Sequence, residues 1–372
     1  MDKVIVAMSG GVDSSYAAWL LLQQGYAVEG VCLDLFPGSK ASADAAEAGD
    51  KLGVKVHVVQ AHRLFHDKVV EAFCQAYCAG LTPNPCTMCN PDVKFMLLLQ
   101  AADECGAQAI ATGHYARTGY DPDTGLFSLL RGMDADKDQS YFLYRLGQGV
   151  IRRVLFPLGE LTKEQVRRGA AAAGLPAAGK RDSQDICFIP DGEYQGFIRR
   201  YAGYYEYADD ESESQFCETR LDNARMDGNG LAPGDFVDRS GKVIGRHEGV
   251  IHYTIGQHKG LGGAFGRAMY VLAIHAEENQ VVLGPEEALY THEVWTSENC
   301  FCSGSAPTEP ICVEAKLRYS AIAMKARYYH LETGMGKLVF EEPVKAAAPG
   351  QSAVYYTGEQ VFGGGTIANI ML

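Results

Sequence analysis

The sequence has no long apolar run and is short of basic residues. No stretch approaches the roughly 18 consecutive apolar residues that span a bilayer. "VIVAM" (4–8) is bordered neither by the basic region nor by the cleavage site of a signal peptide. We therefore expect a soluble, cytoplasmic protein with no membrane partner. Acidic residues outnumber basic ones by 46 to 33, a net charge of −13. Generic nucleic-acid binding is thereby excluded, and any nucleic acid would have to meet a local basic surface.

Cysteine, by contrast, is plentiful. The 372 residues include 11 cysteines, and an odd number in a cytoplasmic chain favours reduced, catalytic or metal-binding thiols over a disulfide framework. Hydrophobic residues make up 47% of the chain and charged residues 21%, which is typical of a globular protein with a filled core. The length predicts two or three domains.

The first half alternates apolar runs of strand length with helical segments. Such alternation predicts right-handed crossovers and a parallel sheet covered by helices on both faces. Thr162 and Gln165 have the spacing of a capping box at the start of the last helix. The predicted strands are 3–8, 27–35, 54–61 and 107–114, and the predicted helices are 15–25, 63–79, 91–105 and 162–174.

The second half has a different character. "EYADDESESQFCE" (206–218) carries six acidic residues and no basic one, which indicates a solvated loop or insertion. From about residue 267, short β-rich runs separated by Gly, Pro and Asn predict an antiparallel barrel or sandwich. We expect an α/β protein with a parallel-sheet catalytic domain, a small central domain and a C-terminal antiparallel β-barrel. The expected bounds are 1–195, 196–266 with an acidic insertion near 203–230, and 267–372.

"MSGGVDSS" (8–15) lies between the first strand and the first helix and is typical of a phosphate-binding loop. Its two glycines let backbone N–H groups approach an anion closely, and its serines add hydroxyl donors. The start of the following helix adds a favourable dipole. Asp13 would hold the loop or a magnesium ion. The Walker A pattern is absent, since no Gly-Lys-Ser/Thr follows; the alternative is an ordinary Gly-Ser turn.

"TPNPCTMCN" (82–90) places Cys86 and Cys89 three positions apart between prolines that stiffen the loop. Thiols are strong nucleophiles because a fraction is ionised near neutral pH. A structural zinc site is another interpretation, although such sites usually take four ligands. Cys74 and Cys78, spaced i and i+4, are available for it but are better interpreted as small buried residues.

Eight motifs occur in the order found in one family. The chain resembles the N-type ATP pyrophosphatases (PP-loop superfamily) and, among them, the tRNA-specific 2-thiouridylases, or tRNA-uridine 2-sulfurtransferases. The resemblance spans the chain apart from the acidic segment, and it implies an adenine-nucleotide α-hydrolase-like first domain. The motifs are "MSGGVDSS", "TPNPCTMCN", "ATGHY" (111–115), "DKDQSYFLY" (136–144), "RDSQDICFI" (181–189), "HYTIGQHKGLG" (252–262), "LRYS" (317–320) and "PGQSAVYY" (349–356).

The resemblance implies a reaction and a set of site residues. ATP, with Mg²⁺, would adenylate the C2 carbonyl oxygen of the wobble uridine of tRNA, and sulfur transfer would then release AMP and give 2-thiouridine. Cys89 matches the nucleophile and Cys187 the persulfide-bearing cysteine. ATP would be held by Ala7, Met8, Ser9, Gly10, Gly11, Val12, Asp13 and Ser14, with Leu33 and Gly113 at the adenosine. The residues expected to contact tRNA are Asn84, Pro85, Cys86, His114, Lys137, Asp138, Gln139, Arg318, Tyr319 and Gln351.

Cys86 departs from the family pattern, in which most members carry an aspartate at this position. The exchange removes the expected acid/base group and creates a Cys-x-x-Cys pair, with Cys187 as a third thiol. Three thiolates can hold three irons of a 4Fe–4S cluster and leave the fourth iron open to sulfide. We hypothesise that Cys86, Cys89 and Cys187 are such ligands; the alternative is a cluster-free persulfide route.

The expected partners are tRNA of the Lys, Glu and Gln type and a sulfur-donor protein, such as a cysteine desulfurase or a relay carrier. A basic track for tRNA is predicted from clustered cations, although each alone is typical of a solvated helix face. Two other functions stay open: a small-molecule amide- or amidine-forming ATP pyrophosphatase, and a non-catalytic sulfur-carrier protein. The track residues are Arg152, Arg153, Lys163, Arg167, Arg168, Lys180 and Arg181.

Overall fold

A computed structural model describes residues 2–176, 186–189, 192–203, 230–263 and 265–369. In this part of the chain no helix combines the length and the apolarity needed to cross a membrane. The strands are β1 (Lys3–Ala7), β2 (Ala27–Asp34), β3 (Val56–Gln60), β4 (Ala109–Ala111), β5 (Ala116–Asp121), β6 (Leu126–Arg131), β7 (Val154–Leu155), β8 (Gly234–Val237), β9 (Val243–His247), β10 (Tyr270–His275), β11 (Gln280–Gly284), β12 (Tyr290–Phe301), β13 (Ile311–Lys316), β14 (Met324–His330), β15 (Gly336–Lys345), β16 (Ser352–Thr357) and β17 (Gln360–Ile367).

Two long helical segments contain a π-helical portion each, His66–Val70 between α3 and α4 and Asn90–Phe95 between α5 and α6. The α-helices are α1 (Val12–Gln23), α2 (Ala41–Leu52), α3 (His62–Phe65), α4 (Glu71–Cys78), α5 (Pro85–Cys89), α6 (Met96–Glu104), α7 (Gln148–Ile151), α8 (Lys163–Ala172) and α9 (Tyr194–Tyr201).

The first domain contains a five-stranded parallel sheet in the order β3-β2-β1-β4-β7. The three central residues of β1 are fully buried, because helices cover both faces of the sheet. The predicted capping box at α8 is present: the Thr162 hydroxyl accepts from the Gln165 N–H, and the Gln165 side chain accepts from the Thr162 N–H. The expected α/β architecture is confirmed, and the reversal of strand order beside β1 favours binding at its carboxyl end.

A four-stranded sheet follows, in the order β10-β11-β8-β9. Strands β8 and β11 pair in parallel, and both outer pairings are antiparallel. The expected domain boundary at 266/267 falls inside this unit, since β10 and β11 pair with the central strands and not with the barrel. Their short β-rich runs have the same local pattern as barrel strands, so the sequence did not separate the two.

The C-terminal strands form the expected antiparallel barrel. Six strands run in the order β12-β15-β14-β13-β16-β17, and the pairing of β12 with β17 closes the ring. The hairpin β5–β6 of the first domain continues this sheet through β17. Arg131 also lies 3.9 Å from the centre of the Tyr356 ring. The barrel is thereby joined to the domain that carries the phosphate-binding loop.

Candidate active site

The phosphate-binding loop lies at the carboxyl end of β1. Gly10 adopts a left-handed conformation (φ 71°), and a Cβ atom there would lie 2.2 Å from the Cβ of Asp44. Glycine is therefore required both by backbone conformation and by space. The Ser14 hydroxyl accepts from the Ser9 N–H at 3.2 Å and donates to the Gly11 carbonyl at 3.2 Å. The loop is folded back on itself before any anion arrives.

The carboxylate of Asp13 is held by two side chains of the first domain. The ammonium of Lys163 contacts its two oxygens at 2.8 and 2.7 Å, and the Tyr115 hydroxyl donates to it at 2.8 Å. Lys163 is buried and the Asp13 side chain is 32% exposed, so this is a half-buried ion pair between the loop and the first turn of α8. These contacts favour the loop-holding role of Asp13 over a role as magnesium ligand.

Gly113 lies against the same loop. A Cβ atom at this position would lie 2.8 Å from the Asp13 carbonyl carbon and from the Ser14 nitrogen, so the backbone after β4 approaches the start of α1 closely. Of the other residues expected at the nucleotide, Met8 and Val12 have buried side chains, which leaves their backbone to face a ligand. Ala7 and Leu33 are half-buried at the ends of β1 and β2.

His114 connects the nucleotide loop to the thiols. Its Nδ1 lies 2.8 Å from the Thr112 hydroxyl, and its ring stacks on Phe95 at 6.0 Å. Burial, with a smaller contribution from the charge on Lys94, lowers the pKa of His114 to about 3. His114 is therefore neutral at physiological pH, and its ring can serve as a hydrogen-bonding or stacking group.

The cysteine loop is fixed by its own short helix. Asn84 caps α5 by accepting from the Cys86 N–H at 3.1 Å, and Pro85 occupies the first helical position, where its missing N–H costs nothing. The cap leaves the Cys86 side chain exposed and turns Cys89, only 3% exposed, into the protein. The two thiols of the Cys-x-x-Cys pair thus have opposite environments.

The barrel packs directly on this loop. The Thr82 N–H donates to the Pro349 carbonyl at 2.8 Å, and the Ser352 hydroxyl donates to the Thr87 hydroxyl at 3.3 Å. A Cβ atom at Gly350, which has φ 88°, would lie 2.9 Å from the Thr82 nitrogen. Gln351, half-buried between these contacts, lies at the junction of barrel and cysteine loop.

Lys94 is a functional candidate that the sequence patterns did not single out. It lies five positions after Cys89 in the π-helical segment between α5 and α6. Burial opposes its charge, but nearby Cys89, Cys86 and Cys187 outweigh burial and raise the pKa of Lys94 above its ordinary value. No local sequence pattern identifies it, because the charges that act on it come together only on folding.

The same charge acts on the thiols. Burial raises the pKa of Cys89 to about 12, and Lys94 is the main opposing influence. The pKa of Cys187 is also raised by the surrounding protein and lowered in part by Lys94, although its side chain reaches solvent. Each of these two thiols responds to the charge of Cys86 as well. The structure therefore brings the three predicted cysteines into one neighbourhood around a cation.

The distances between the sulfur atoms of these three cysteines bear on which metal they could bind. Within the described part of the chain, the sulfur atoms of Cys86, Cys89 and Cys187 do not all lie within 4.8 Å of one another. Such close grouping suits ligands that share one zinc ion, whereas a four-iron cluster takes each thiolate on a different iron. Cys74 is fully buried, and half-buried Cys78 packs against the same apolar cluster, as expected for packing residues.

The segment 137–139 is tied into the protein. Asp138 is 6% exposed, and its carboxylate accepts from the N–H groups of Gly132 and Ser140 and from the Ser140 hydroxyl. The Gln139 side-chain oxygen accepts from the Tyr115 N–H at 3.0 Å. These bonds fix the segment and occupy the Asp138 side chain. Lys137 is half-exposed beside them.

Arg318 and Tyr319 follow strand β13. Arg318 is exposed, and Tyr319 packs on Phe142 with ring centres 4.4 Å apart. The Phe142 carbonyl accepts from the side chain of Asn90, the residue after Cys89. The barrel residues expected at tRNA therefore lie near the helix that carries the thiols.

The basic track does not form as predicted. Lys163 is buried against Asp13, and Arg153 bonds to Asp103 and to two backbone carbonyls. The local sequence gave no sign of these distant acceptors. Arg152, Arg167 and Arg168 are exposed, and Lys180 and Arg181 lie outside the described residues.

Comparison with known proteins supports the family directly. Residues 2–191 match the model described as tRNA methyl transferase HUP domain, residues 228–285 the tRNA methyl transferase PRC-barrel domain, and residues 291–367 the aminomethyltransferase beta-barrel domain. The chain is 42% identical to the tRNA-specific 2-thiouridylase MnmA of Acidithiobacillus ferrooxidans over 370 residues, 98% of both chains. The chain belongs to the tRNA-specific 2-thiouridylase family.

Two further matches complete the comparison. Identity to the tRNA-specific 2-thiouridylase MnmA of Syntrophomonas wolfei is 42% over 365 residues, covering 98% of this chain and 99% of the relative. A solved 4-thiouridine synthetase in complex with RNA and ATP is similar over 52% of this chain and 46% of its own, with 21% identity and a TM-score of 0.37. That likeness is too weak to carry an argument. The family assignment therefore depends on full-length sequence similarity.

Proposed function

We propose that this protein catalyses ATP-dependent 2-thiolation of the wobble uridine of tRNA in the cytoplasm. The observation that carries the proposal is the junction at Gly113 and His114: Gly113 abuts the phosphate-binding loop, and His114 responds to the charge of Lys94, which also acts on the thiols. An activating nucleotide and a sulfur nucleophile would thus meet at one substrate atom.

The loop would supply the first step. Backbone N–H groups of residues 10–14, at the start of α1, would bind the triphosphate, with Mg²⁺ as its counter-ion. Attack of the uridine C2 oxygen on the α-phosphorus forms an O–P bond and expels pyrophosphate. Asp13 would take no part in metal binding, because Lys163 and Tyr115 hold its carboxylate.

The thiols would supply the second step. In the persulfide route, the terminal sulfur on Cys187 attacks C2 and AMP leaves. The Cys89 thiolate then attacks the Cys187 sulfur, which releases thiocarbonyl on the base and leaves a Cys89–Cys187 disulfide for an external thiol to reduce. Lys94 would favour the Cys89 thiolate, since a cation beside a buried thiol lowers its pKa.

Cys86 favours a second version of this step. Cys86, Cys89 and Cys187 would hold three irons of a 4Fe–4S cluster; the observation that supports this is that all three act on the charge of Lys94 and so lie in one neighbourhood. When bound, the cluster would supply an iron with an open position for sulfide. This chain's own contribution would be the rigid α5 frame and the cation of Lys94.

The proposed partners would bind at the same site. tRNA of the Lys, Glu and Gln type would approach between the cysteine loop and the barrel, where Asn84, Arg318 and Gln351 lie. Its wobble base would leave the stack to reach Cys89. A sulfur-donor protein would reach the site through Cys187 or Cys86, both of which are exposed.

The deciding experiment is ATP–pyrophosphate exchange with and without unmodified tRNA. Exchange that requires tRNA, with 2-thiouridine formed once a sulfur donor is added, would support the proposal. Exchange without tRNA would indicate a small-molecule ATP pyrophosphatase, and absence of exchange would indicate a sulfur carrier.

The sulfur species needs a separate measurement on protein purified without oxygen. We expect about four irons and four acid-labile sulfides per chain, lost in Cys86→Ala and kept in Cys312→Ala, which removes an exposed thiol of the barrel. Thiolation of tRNA by iron-free protein in the presence of a sulfur donor would instead support the persulfide route.

A further inference from the structure

A second group of chemically reactive side chains lies on the first domain, away from the thiols. In the sheet register Glu29 pairs with Ile5, two residues after Lys3, and His57 pairs with Val31, two residues after Glu29. Side chains two positions apart share a face of a strand, so Lys3, Glu29 and His57 lie side by side on one face. This is the face covered by α6.

Cys105 completes the group from the end of that helix. It follows α6 directly, and its carbonyl accepts from the Lys3 ammonium at 2.9 Å. The Glu29 carboxylate contacts the His57 Nε2 atom at 2.7 Å with one oxygen and the Lys3 ammonium at 2.7 Å with the other. A ligand atom from each of Glu29, His57 and Cys105 lies within 4.8 Å of the other two.

We propose that Glu29, His57 and Cys105 form a zinc-binding site. Carboxylate oxygen, imidazole nitrogen and thiolate sulfur are the three donor types that zinc takes in proteins, at about 2.0 to 2.3 Å from the ion. Tetrahedral ligands at those distances lie between roughly 3 and 4 Å apart; the three atoms here lie within 4.8 Å of one another, so zinc would have to draw them together. All three residues are half-exposed, so a water molecule can fill the fourth position.

Lys3 is the charge that zinc would have to displace. Its side chain is 29% exposed, and exposed ion pairs of this kind contribute little. When zinc takes the Glu29 carboxylate, the flexible Lys3 side chain keeps its bond to the Cys105 carbonyl or turns to solvent. Because this exposed ion pair contributes little, displacing Lys3 from Glu29 should cost little and Lys3 does not block the site.

The site is separate from the active site. The phosphate-binding loop follows the carboxyl end of β1, whereas Lys3 begins the same strand, so the two sites lie at opposite edges of the sheet. Zinc here would join two adjacent strands, β2 and β3, to the end of α6. Its role would be to stabilise the first domain, a role that does not depend on the proposed thiolation.

The test measures protection of one thiol by zinc in the full-length protein. Intact protein is treated with a limiting alkylating reagent with and without Zn²⁺, and labelling of each cysteine is read from its peptide by mass spectrometry. We expect Zn²⁺ to slow labelling of Cys105 by roughly tenfold or more, because a coordinated thiolate is a poor nucleophile. Labelling of Cys300, half-buried in the barrel, should not change.

Variants decide whether the three residues act together. Glu29→Gln and His57→Ala should each abolish protection of Cys105, whereas His62→Ala, which removes another histidine paired with a carboxylate, should leave it intact. An unchanged Cys300 labelling rate shows that each variant is folded. Absence of protection in the wild type, or protection that persists in His57→Ala, would overturn the proposal.

Discussion

The phosphate-binding loop and the cysteine loop are each held in a fixed conformation, but by different kinds of contact. The first is closed by bonds among its own residues and by one half-buried ion pair with α8, all within the first domain. The second is held by its cap and by barrel residues far along the chain. Binding of a common ligand needs only a local frame, whereas placing a nucleophile against a macromolecule needs several domains.

The two loops also differ in how charge is balanced. Asp13 faces a partner at hydrogen-bond distance, so the loop keeps its own charges paired and its N–H groups available for phosphate. At the thiols, burial raises the pKa values of Cys89 and Cys187, and the single cation Lys94 opposes this rise in both. The charge of Cys86 acts on both thiols and on Lys94. Changes at the first loop should therefore affect ATP use, and changes at the second should affect sulfur transfer.

The Cys89→Ser substitution should have the largest effect and should separate sulfur transfer from ATP use. We expect tRNA thiolation to fall by at least about 10³-fold, because the hydroxyl is a far weaker nucleophile, while tRNA-dependent ATP–pyrophosphate exchange persists. Cys312→Ser is the matched control and should retain both. Loss of exchange together with thiolation would mean that the two loops do not have separate tasks.

Breaking the ion pair at the first loop should have the next largest effect. Lys163→Met leaves Asp13 charged in the phosphate-binding loop, and we expect the free energy of unfolding to fall by on the order of 1 to 2 kcal/mol because the pair is half-buried, with a higher KM for ATP. The double variant Asp13→Asn with Lys163→Met should recover much of both, as measured by urea unfolding and initial rates. A double variant no better than Lys163→Met would contradict this account.

Removing the cation at the second loop should change thiol reactivity. In metal-free protein at pH 8, Lys94→Met should slow alkylation of Cys89 by up to about tenfold, since a rise of one pKa unit lowers the thiolate fraction that much. Lys68→Met, which removes an exposed lysine, provides the control. Equal rates in the two variants would show that Lys94 does not act on Cys89.

A separate effect, confined to acid pH, concerns stability. The folded-state pKa of His114 is about 3, lowered first by burial and then by Lys94, against about 6.5 in the unfolded chain. Its contribution is thus fully present above pH 6.5 and is lost as the pH falls from 6.5 towards 3.

His114→Asn should therefore show a shallower loss of stability over that range. The measurement is the free energy of unfolding at pH 7.5 and 5.0, with His62→Asn as the control. Parallel pH curves for wild type and His114→Asn would contradict the assignment.

Features that depend on residues close in sequence were predicted, and features that depend on residues far apart in sequence were missed. Local patterns predicted the parallel sheet, the α8 capping box and the glycine loop, because each is determined by residues close in sequence. Lys163 and Arg153 were misassigned to a surface, because their partners, Asp13 and Asp103, lie 150 and 50 positions away. Lys94 was missed because its importance arises only from charges that folding gathers around it.

The contacts between the barrel and the cysteine loop have a consequence for how the protein is made. Ser352 and Thr87, which bond across that contact, are 265 positions apart. During synthesis the nucleotide loop has all its partners once α8 has left the ribosome, whereas the thiol loop waits for almost the entire chain. A chain that ends before the barrel would therefore keep the contacts of the nucleotide loop and lose those between Thr82, Thr87 and the barrel that frame the cysteine loop.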